Sequence, residues 1–261
     1  MQLQIIGGGK MGEALLGGVL ANRWASPAEV VVVELDGGRR AELESSHPGI
    51  ATADTIDPTI DSLVAVKPQH VVEVVGALTK PGVRVLSVAA GVRVSEMELA
   101  AREAHIIRAM PNTPALVGEG ASAIAGGALA TAEDLDWAES ILGSVGLVVR
   151  VDETELDAVT GLSGSGPAYV FHLAEGLVAA GIAQGLSPEV ADALTRQTLL
   201  GAATLLSTSG EDPAVLRQNV TSPGGTTAAG LAVFAEADLV GLVEDVVRAA
   251  TERSIELGVS P

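Results

Sequence analysis

A short β run, Gln2–Ile6, leads directly into Gly7-Gly-Gly-Lys-Met-Gly12, and apolar residues then recur at helical spacing at Ala14, Leu15, Leu16, Val19 and Leu20. Strand, glycine turn and helix in that order are the context that gives G-x-G-x-x-G its meaning, with Gly7, Gly9 and Gly12 in the three places. The first glycine permits the tight turn, the second lets the backbone approach a pyrophosphate, and the third lets the helix pack closely on the strand. A chain that opens this way is constrained to a βαβ unit, and so to a parallel sheet.

Val30–Val33 reads as the second strand, with Glu34 at its end. An acidic side chain there accepts hydrogen bonds from a ribose hydroxyl and repels a 2′-phosphate, which favours NADH. Arg39 and Arg40 lie just beyond and are within sequence reach of a phosphate, which favours NADPH. Further strands are expected at Ser62–Val66, Val83–Val88 and His105–Ala109, separated by helices such as His70–Leu78 and Ser95–Arg102. The alternation implies a parallel, doubly wound sheet. Ala65-Val-Lys-Pro-Gln69 and Ala89-Ala-Gly91 end two of these strands and fall at the carboxyl edge, where such sheets bind ligands. Arg108-Ala-Met-Pro-Asn-Thr-Pro114 closes a third with two prolines around Asn112 and Thr113; Lys67 and Arg108 also fit as ordinary surface charges. Strands at Gly120–Ala125 and Gly146–Val151, around a helix at Ala132–Leu142, complete a first domain spanning 1–151.

From residue 152 to 261 helical patterns take over. Thr160-Gly-Leu-Ser-Gly-Ser-Gly-Pro167 reads as a kink where another backbone passes close by, followed by a long helix over Ala168–Ala183 with Pro167 in its first turn. Ser187-Pro188 caps a helix running through Leu206. The last helix carries Leu239, Val243, Val246 and Ala250 on one stripe, with Val240 and Val247 beside it. An apolar sector that wide predicts burial against a second copy of the chain.

Asn219-Val-Thr-Ser-Pro-Gly-Gly-Thr-Thr227 precedes another apolar periodic run. Ser or Thr ahead of such a run signals a helix N-cap, and the glycines let backbone N–H groups come close to a ligand. Such a loop suits a small anion such as a carboxylate.

Composition removes other classes. Net charge is −18 with only two Trp, one Tyr and two Phe, which argues against a nucleic-acid surface. There is no cysteine, so thiolate catalysis and thiolate metal sites are absent. His47, His70, His105 and His172 are scattered without ligand spacing, so no metal site is expected, and no Ser-His-Asp arrangement can be assembled. Hydrophobic residues reach 48%, enough for a core without disulfides. Neither a signal-peptide pattern nor an apolar run of ~20 residues occurs, and the expectation is a soluble, cytoplasmic protein without a membrane segment.

Taken together, Gly7–Gly12, Ala65–Gln69, Arg108–Pro114, Asp157-Ala-Val-Thr-Gly-Leu-Ser-Gly-Ser-Gly-Pro-Ala-Tyr169 and Asn219–Thr227 resemble pyrroline-5-carboxylate reductases along essentially the full length. The resemblance implies a Rossmann-type domain followed by an all-α dimerisation domain, a homodimer, and in some relatives a pentamer of dimers. It implies hydride transfer from NADPH or NADH to the C=N carbon of 1-pyrroline-5-carboxylate, giving L-proline. Carried over residue by residue, Thr227 is the catalytic hydroxyl on the ring nitrogen, and Ser222 with Gly224, Gly225 and Thr226 holds the carboxylate. Glu153 and Asn219 match substrate-pocket positions. Gly7, Gly8, Gly9, Lys10, Met11, Gly12, Glu34, Ala65, Val66, Lys67, Pro68, Ala89, Ala90 and Gly91 match the cofactor site, with Asn112 and Pro114 stiffening the floor beneath the nicotinamide. Lys10 stands where the family commonly has Asn, and Glu34 where many relatives have a small polar residue. The competing readings are a related imine or hydroxy-acid reductase, and a non-catalytic dinucleotide-binding scaffold.

Overall fold

The computed structural model describes residues 2–258. Eight strands form one sheet: β1 (Leu3–Ile6), β2 (Val30–Val33), β3 (Ala51–Ala53), β4 (Ser62–Val64), β5 (Arg84–Ser87), β6 (His105–Met110), β7 (Gly120–Gly126) and β8 (Gly146–Arg150). Their spatial order is 3-2-1-4-5-6-7-8. Strands β1 to β6 are parallel, but β7 pairs antiparallel to β6, and β8 is parallel to β7. The expectation of a wholly parallel sheet is therefore corrected at its last two strands. The β6–β7 connection is only a short stiff turn, Pro111–Glu119, too short to hold a crossover helix of ordinary length.

Helices α1 (Lys10–Ala21), α2 (Gly37–Ser46), α3 (Pro68–Gly76), α4 (Val94–Ala100) and α5 (Ala132–Leu142) accompany the sheet. Side chains alternate between its faces with period two. Ile5, Val32, Leu63, Leu86 and Ile107 pack on one side with Leu15, Leu16 and Val19 of α1 and Trp137, Ala138 and Ile141 of α5. Their neighbours Ile6, Val33, Val64, Val85 and Ile106 pack on the other with Val71 and Val75 of α3 and Met97 of α4. Both faces are covered, which explains why β1 and β2 are buried at every position.

The remaining helices are α6 (Leu156–Val159), α7 (Gly166–Ala183), α8 (Pro188–Ser209), α9 (Pro213–Asn219), α10 (Thr226–Glu236) and α11 (Leu239–Leu257). By packing, the chain forms two compact units. One runs to Ser165 and resumes at Arg248; the other is Gly166–Val247. Turn 153–155 and α6 belong to the first unit, with Leu156 buried against Ala123 and Ala125 of β7. The expected kink is a π-helical turn at Thr160–Gly164. What passes close to Gly164 is the Met110 side chain rather than a backbone. In the second unit, Ala191 and Thr195 are the only buried residues among those described, while Phe171, Leu194, Leu200, Val233 and Val240 are exposed. Among the described residues no single helix is long and apolar enough to cross a membrane.

Candidate cofactor and substrate sites

β1 and β4 are neighbours, yet the helices that follow them leave to opposite faces: α1 packs with Ile5 and Leu63, α3 with Ile6 and Val64. That divergence opens a crevice at the carboxyl ends of the two strands, the place where doubly wound sheets hold ligands. The glycine turn lies in it. Gly7 has φ +107°, and a Cβ there would sit 2.7 Å from the Ala65 carbonyl oxygen. A Cβ on Gly12 would collide with the Gly7 carbonyl oxygen, so these two glycines serve close packing. Gly9 differs: nothing lies within 4 Å of its Cβ position, and as N-cap of α1 it makes no side-chain capping bond. An open backbone at the start of a twelve-residue helix is the seat a pyrophosphate needs. Lys10 is exposed and Met11 partly so in the first turn beside it. The residues present thus fit a dinucleotide.

Glu34 ends β2 facing the same turn. Its Oε2 accepts the Gly8 N–H at 3.0 Å and its Oε1 accepts the Asp36 N–H at 3.0 Å. Neither arginine that sequence spacing offered to a phosphate is unengaged. Arg39 donates from Nε to the Gly8 carbonyl oxygen at 2.8 Å and pairs with Glu13 and Glu42. Arg40 donates to the carbonyl oxygens of Glu34 and Leu35 at 2.6 and 3.0 Å. A cavity of about 510 Å³ opens alongside, and its lining includes Gly7, Glu34, Val66 and also Asp54, His70 and Glu73. The last three were not anticipated, because only the fold brings β3 and α3 to the end of β2.

The other expected cofactor residues fall at the ends of β4 and β5. Ala65 and Val66 follow β4, Lys67 is the N-cap of α3, and Pro68 occupies its first turn. Ala89 is buried, Ala90 is exposed, and Gly91 has φ +78°. Glu153 lies close by: its Oε1 accepts the Val94 N–H at 2.7 Å and Arg108 Nη1 at 3.1 Å. Arg108 is 6% exposed, so the surface-charge reading of it is corrected. The signal was present in the sequence, since a charge between Ile107 and Ala109 sits on a buried strand. Lys67, the other candidate surface charge, is exposed. Asn112 is also buried; it donates to the Ser163 carbonyl oxygen at 3.0 Å and accepts the Ala121 N–H at 2.8 Å, pinning the π-helical turn.

In the second unit, Asn219 ends α9 and the loop turns at Gly224, with φ +69°. The Gly225 N–H donates to the Ser222 carbonyl oxygen at 3.1 Å. The N-cap of α10 is Gly225, not a Ser or Thr, so the expected hydroxyl cap is corrected. Thr226 and Thr227 lie in the first helical turn, exposed together with Ser222. With no side-chain acceptor at this eleven-residue helix, its first amides and three hydroxyls are presented to an incoming anion.

Sheet order, glycine turn and carboxyl-edge crevice define a dinucleotide-binding protein of the Rossmann class. A family model described as pyrroline-5-carboxylate reductase dimerisation matches residues 153–257, and one described as NADP oxidoreductase, coenzyme F420-dependent, matches residues 2–91. The chain is 42% identical to a pyrroline-5-carboxylate reductase of Synechocystis sp., covering 99% of this chain and 98% of that protein. It is 37% identical to one of Pseudomonas aeruginosa, over 98% and 96%. A solved pyrroline-5-carboxylate reductase from Coxiella burnetii superposes with a TM-score of 0.93 at 33% identity, over 99% of each chain. One from Plasmodium falciparum with NADP bound superposes at 0.84 and 28% identity, over 99% and 98%. The chain belongs to the pyrroline-5-carboxylate reductase family, whose members are NAD(P)H-dependent oxidoreductases.

Proposed function

We propose that this chain reduces 1-pyrroline-5-carboxylate to L-proline, the last step of proline biosynthesis. The observation that carries the reading is the open, anion-accepting start of α10 beside Ser222 and Thr227, in a chain that also holds a complete dinucleotide turn. When bound, the reduced nicotinamide supplies a hydride to the imine carbon, and one proton is carried on the ring nitrogen. Ser222 and the backbone of Gly224, Gly225 and Thr226 hold the substrate carboxylate. The Thr227 hydroxyl hydrogen-bonds the ring nitrogen and fixes the ring, while Asn219 lines the pocket. A protonated cyclic imine is already a good hydride acceptor, so orientation and exclusion of water supply most of the catalysis. No metal or histidine base is required by this chemistry.

The preferred cofactor in this reading is NADH. Glu34, Asp54 and Glu73 line one cavity, and Arg39 and Arg40 are engaged elsewhere, so a dianionic 2′-phosphate meets carboxylates. The functional division of this reading is residues 1–151 for the cofactor and 152–261 for substrate and dimerisation, although by packing the segment to Ser165 and the chain from Arg248 onward join the unit that carries the sheet. The homodimer forms through the exposed apolar helices of 166–247, since a helical unit burying only Ala191 and Thr195 needs a partner surface. A pentamer of such dimers extends the same assembly, and the cell compartment of this reading is the cytoplasm.

The experiment is an absorbance assay of cofactor oxidation with 1-pyrroline-5-carboxylate and each reduced cofactor in turn. Turnover with proline as product is expected, faster with NADH; no oxidation of either cofactor would refute the assignment. Faster turnover of the six-membered cyclic imine would favour a related reductase, and binding without turnover a scaffold.

A further inference from the structure

The loop after β5 is gripped from two directions by residues from much later in the chain, all within the compact unit that carries the sheet. Ala89, Ala90 and Gly91 have no polar side chains with which to hold a conformation, and among the described residues the one side-chain hydrogen bond to their backbone, from the Ala89 N–H to Ser87 Oγ, is long at 3.5 Å. On one side, Glu153 accepts the Val94 N–H just beyond the loop. On the other stands the last turn of α11. A Cβ built on Gly91 would lie 3.8 Å from Leu257 Cβ, and one on Gly258 would lie 3.4 Å from the Gly91 carbonyl oxygen. That last turn is itself tied down: Ser254, only 5% exposed, donates its hydroxyl to Asp157 Oδ1 at 2.6 Å. Asp157 lies on α6, one turn beyond Glu153, so both grips share one short base, 153–157.

We propose that Ser254 and Asp157 are positioning residues for the cofactor: their hydrogen bond holds the end of α11 against Ala89–Gly91 and so shapes the wall that receives the nicotinamide half. This rests on the cofactor reading above. With strand order 3-2-1-4-5-6, the adenosine half falls on the β1–β3 side of the crevice and the nicotinamide half on the β4–β6 side. Loosening the loop after β5 therefore weakens one half of the dinucleotide and spares the other.

The test uses the full chain and two ligands, NADH and ADP-ribose, which lacks the nicotinamide. Ser254→Ala and Asp157→Ala are each expected to raise the Kd for NADH about three- to tenfold, the loss of one hydrogen bond's worth of order, with the ADP-ribose Kd unchanged. The double variant should be no weaker than either single one, and Asp157→Asn, which keeps an acceptor, should bind NADH like the parent. Because Ser254 is buried, Leu257→Gly at an exposed position gives a second route to the same selective loss. Equal weakening of both ligands, or reduced thermal stability with an unchanged NADH Kd, would overturn the inference. Failure of the parent protein to bind either ligand would overturn the cofactor reading, and this inference with it.

Discussion

The backbone N–H of Gly8 donates to Glu34 Oε2 at 3.0 Å, which binds the carboxylate at the end of β2 to the glycine turn after β1. In the cofactor reading proposed above, this carboxylate faces the ribose hydroxyls, and a phosphate there would compete with it for the Gly8 N–H. Glu34→Ser is expected to raise the ratio of kcat/KM for NADPH over NADH by about tenfold or more, as removal of a like charge from a phosphate site implies. Steady-state kinetics with both cofactors measure it, and an unchanged ratio would exclude Glu34 from cofactor choice.

Thr227→Ala should lower kcat by at least roughly tenfold, the ~1.4 kcal/mol of one transition-state hydrogen bond. Thr227→Ser, which keeps the hydroxyl, should recover most of it. Wild-type turnover in the alanine variant would remove Thr227 from the mechanism.

Gly12 faces the Gly7 carbonyl oxygen with no room for a methyl group. Gly12→Ala should push α1 off β1, costing about 1–3 kcal/mol of stability and most of the dinucleotide affinity. By contrast Gly9→Ala meets nothing in the protein, so its stability should hold while cofactor affinity falls. Thermal melts paired with binding titrations separate the two; matching losses in both variants would contradict these separate roles.

Asp134 opens α5, where burial raises its pKa but is outweighed by the Thr131 N–H, the Thr131 hydroxyl and His105 Nδ1, the last at 2.7 Å; the net result is a lowered value. A depressed folded-state pKa means that the stabilisation is fully present above the unfolded aspartate value, ~4, and is lost as pH falls through the folded value. Urea midpoints should therefore drop on the acid side of ~4 in the parent. In Asp134→Asn the midpoint should be lower at neutral pH and its acid drop smaller; equal acid drops in the two proteins would contradict the assignment.

Much of this was readable in order along the chain. β1, the glycine turn and α1 follow from adjacent residues, and the Val run of β2 announces its burial by having no polar face. The π-helical turn at Thr160–Gly164 and the loop at Asn219–Thr227 stood out as glycine-rich knots, although a hydroxyl cap was expected where Gly225 stands. Ala51–Ala53 was missed as a strand, since three small residues carry neither alternation nor β-branched bulk beyond Thr52. The direction of β7 and β8 was missed as well, although the gap after β6 is too short for a crossover helix and so already pointed to an antiparallel pair.

The sequence by itself determined the period of the longer elements and the place of the glycine turns after β1 and before α10, because steric and hydrogen-bonding demands over a few neighbouring residues settle them. Only the tertiary structure decided that Arg108 meets Glu153, 45 positions away, and that Ser254 meets Asp157, 97 positions away. Such partners are chosen by which chain ends the packed sheet brings together, and a polar group in that interior is held to whichever partner satisfies it.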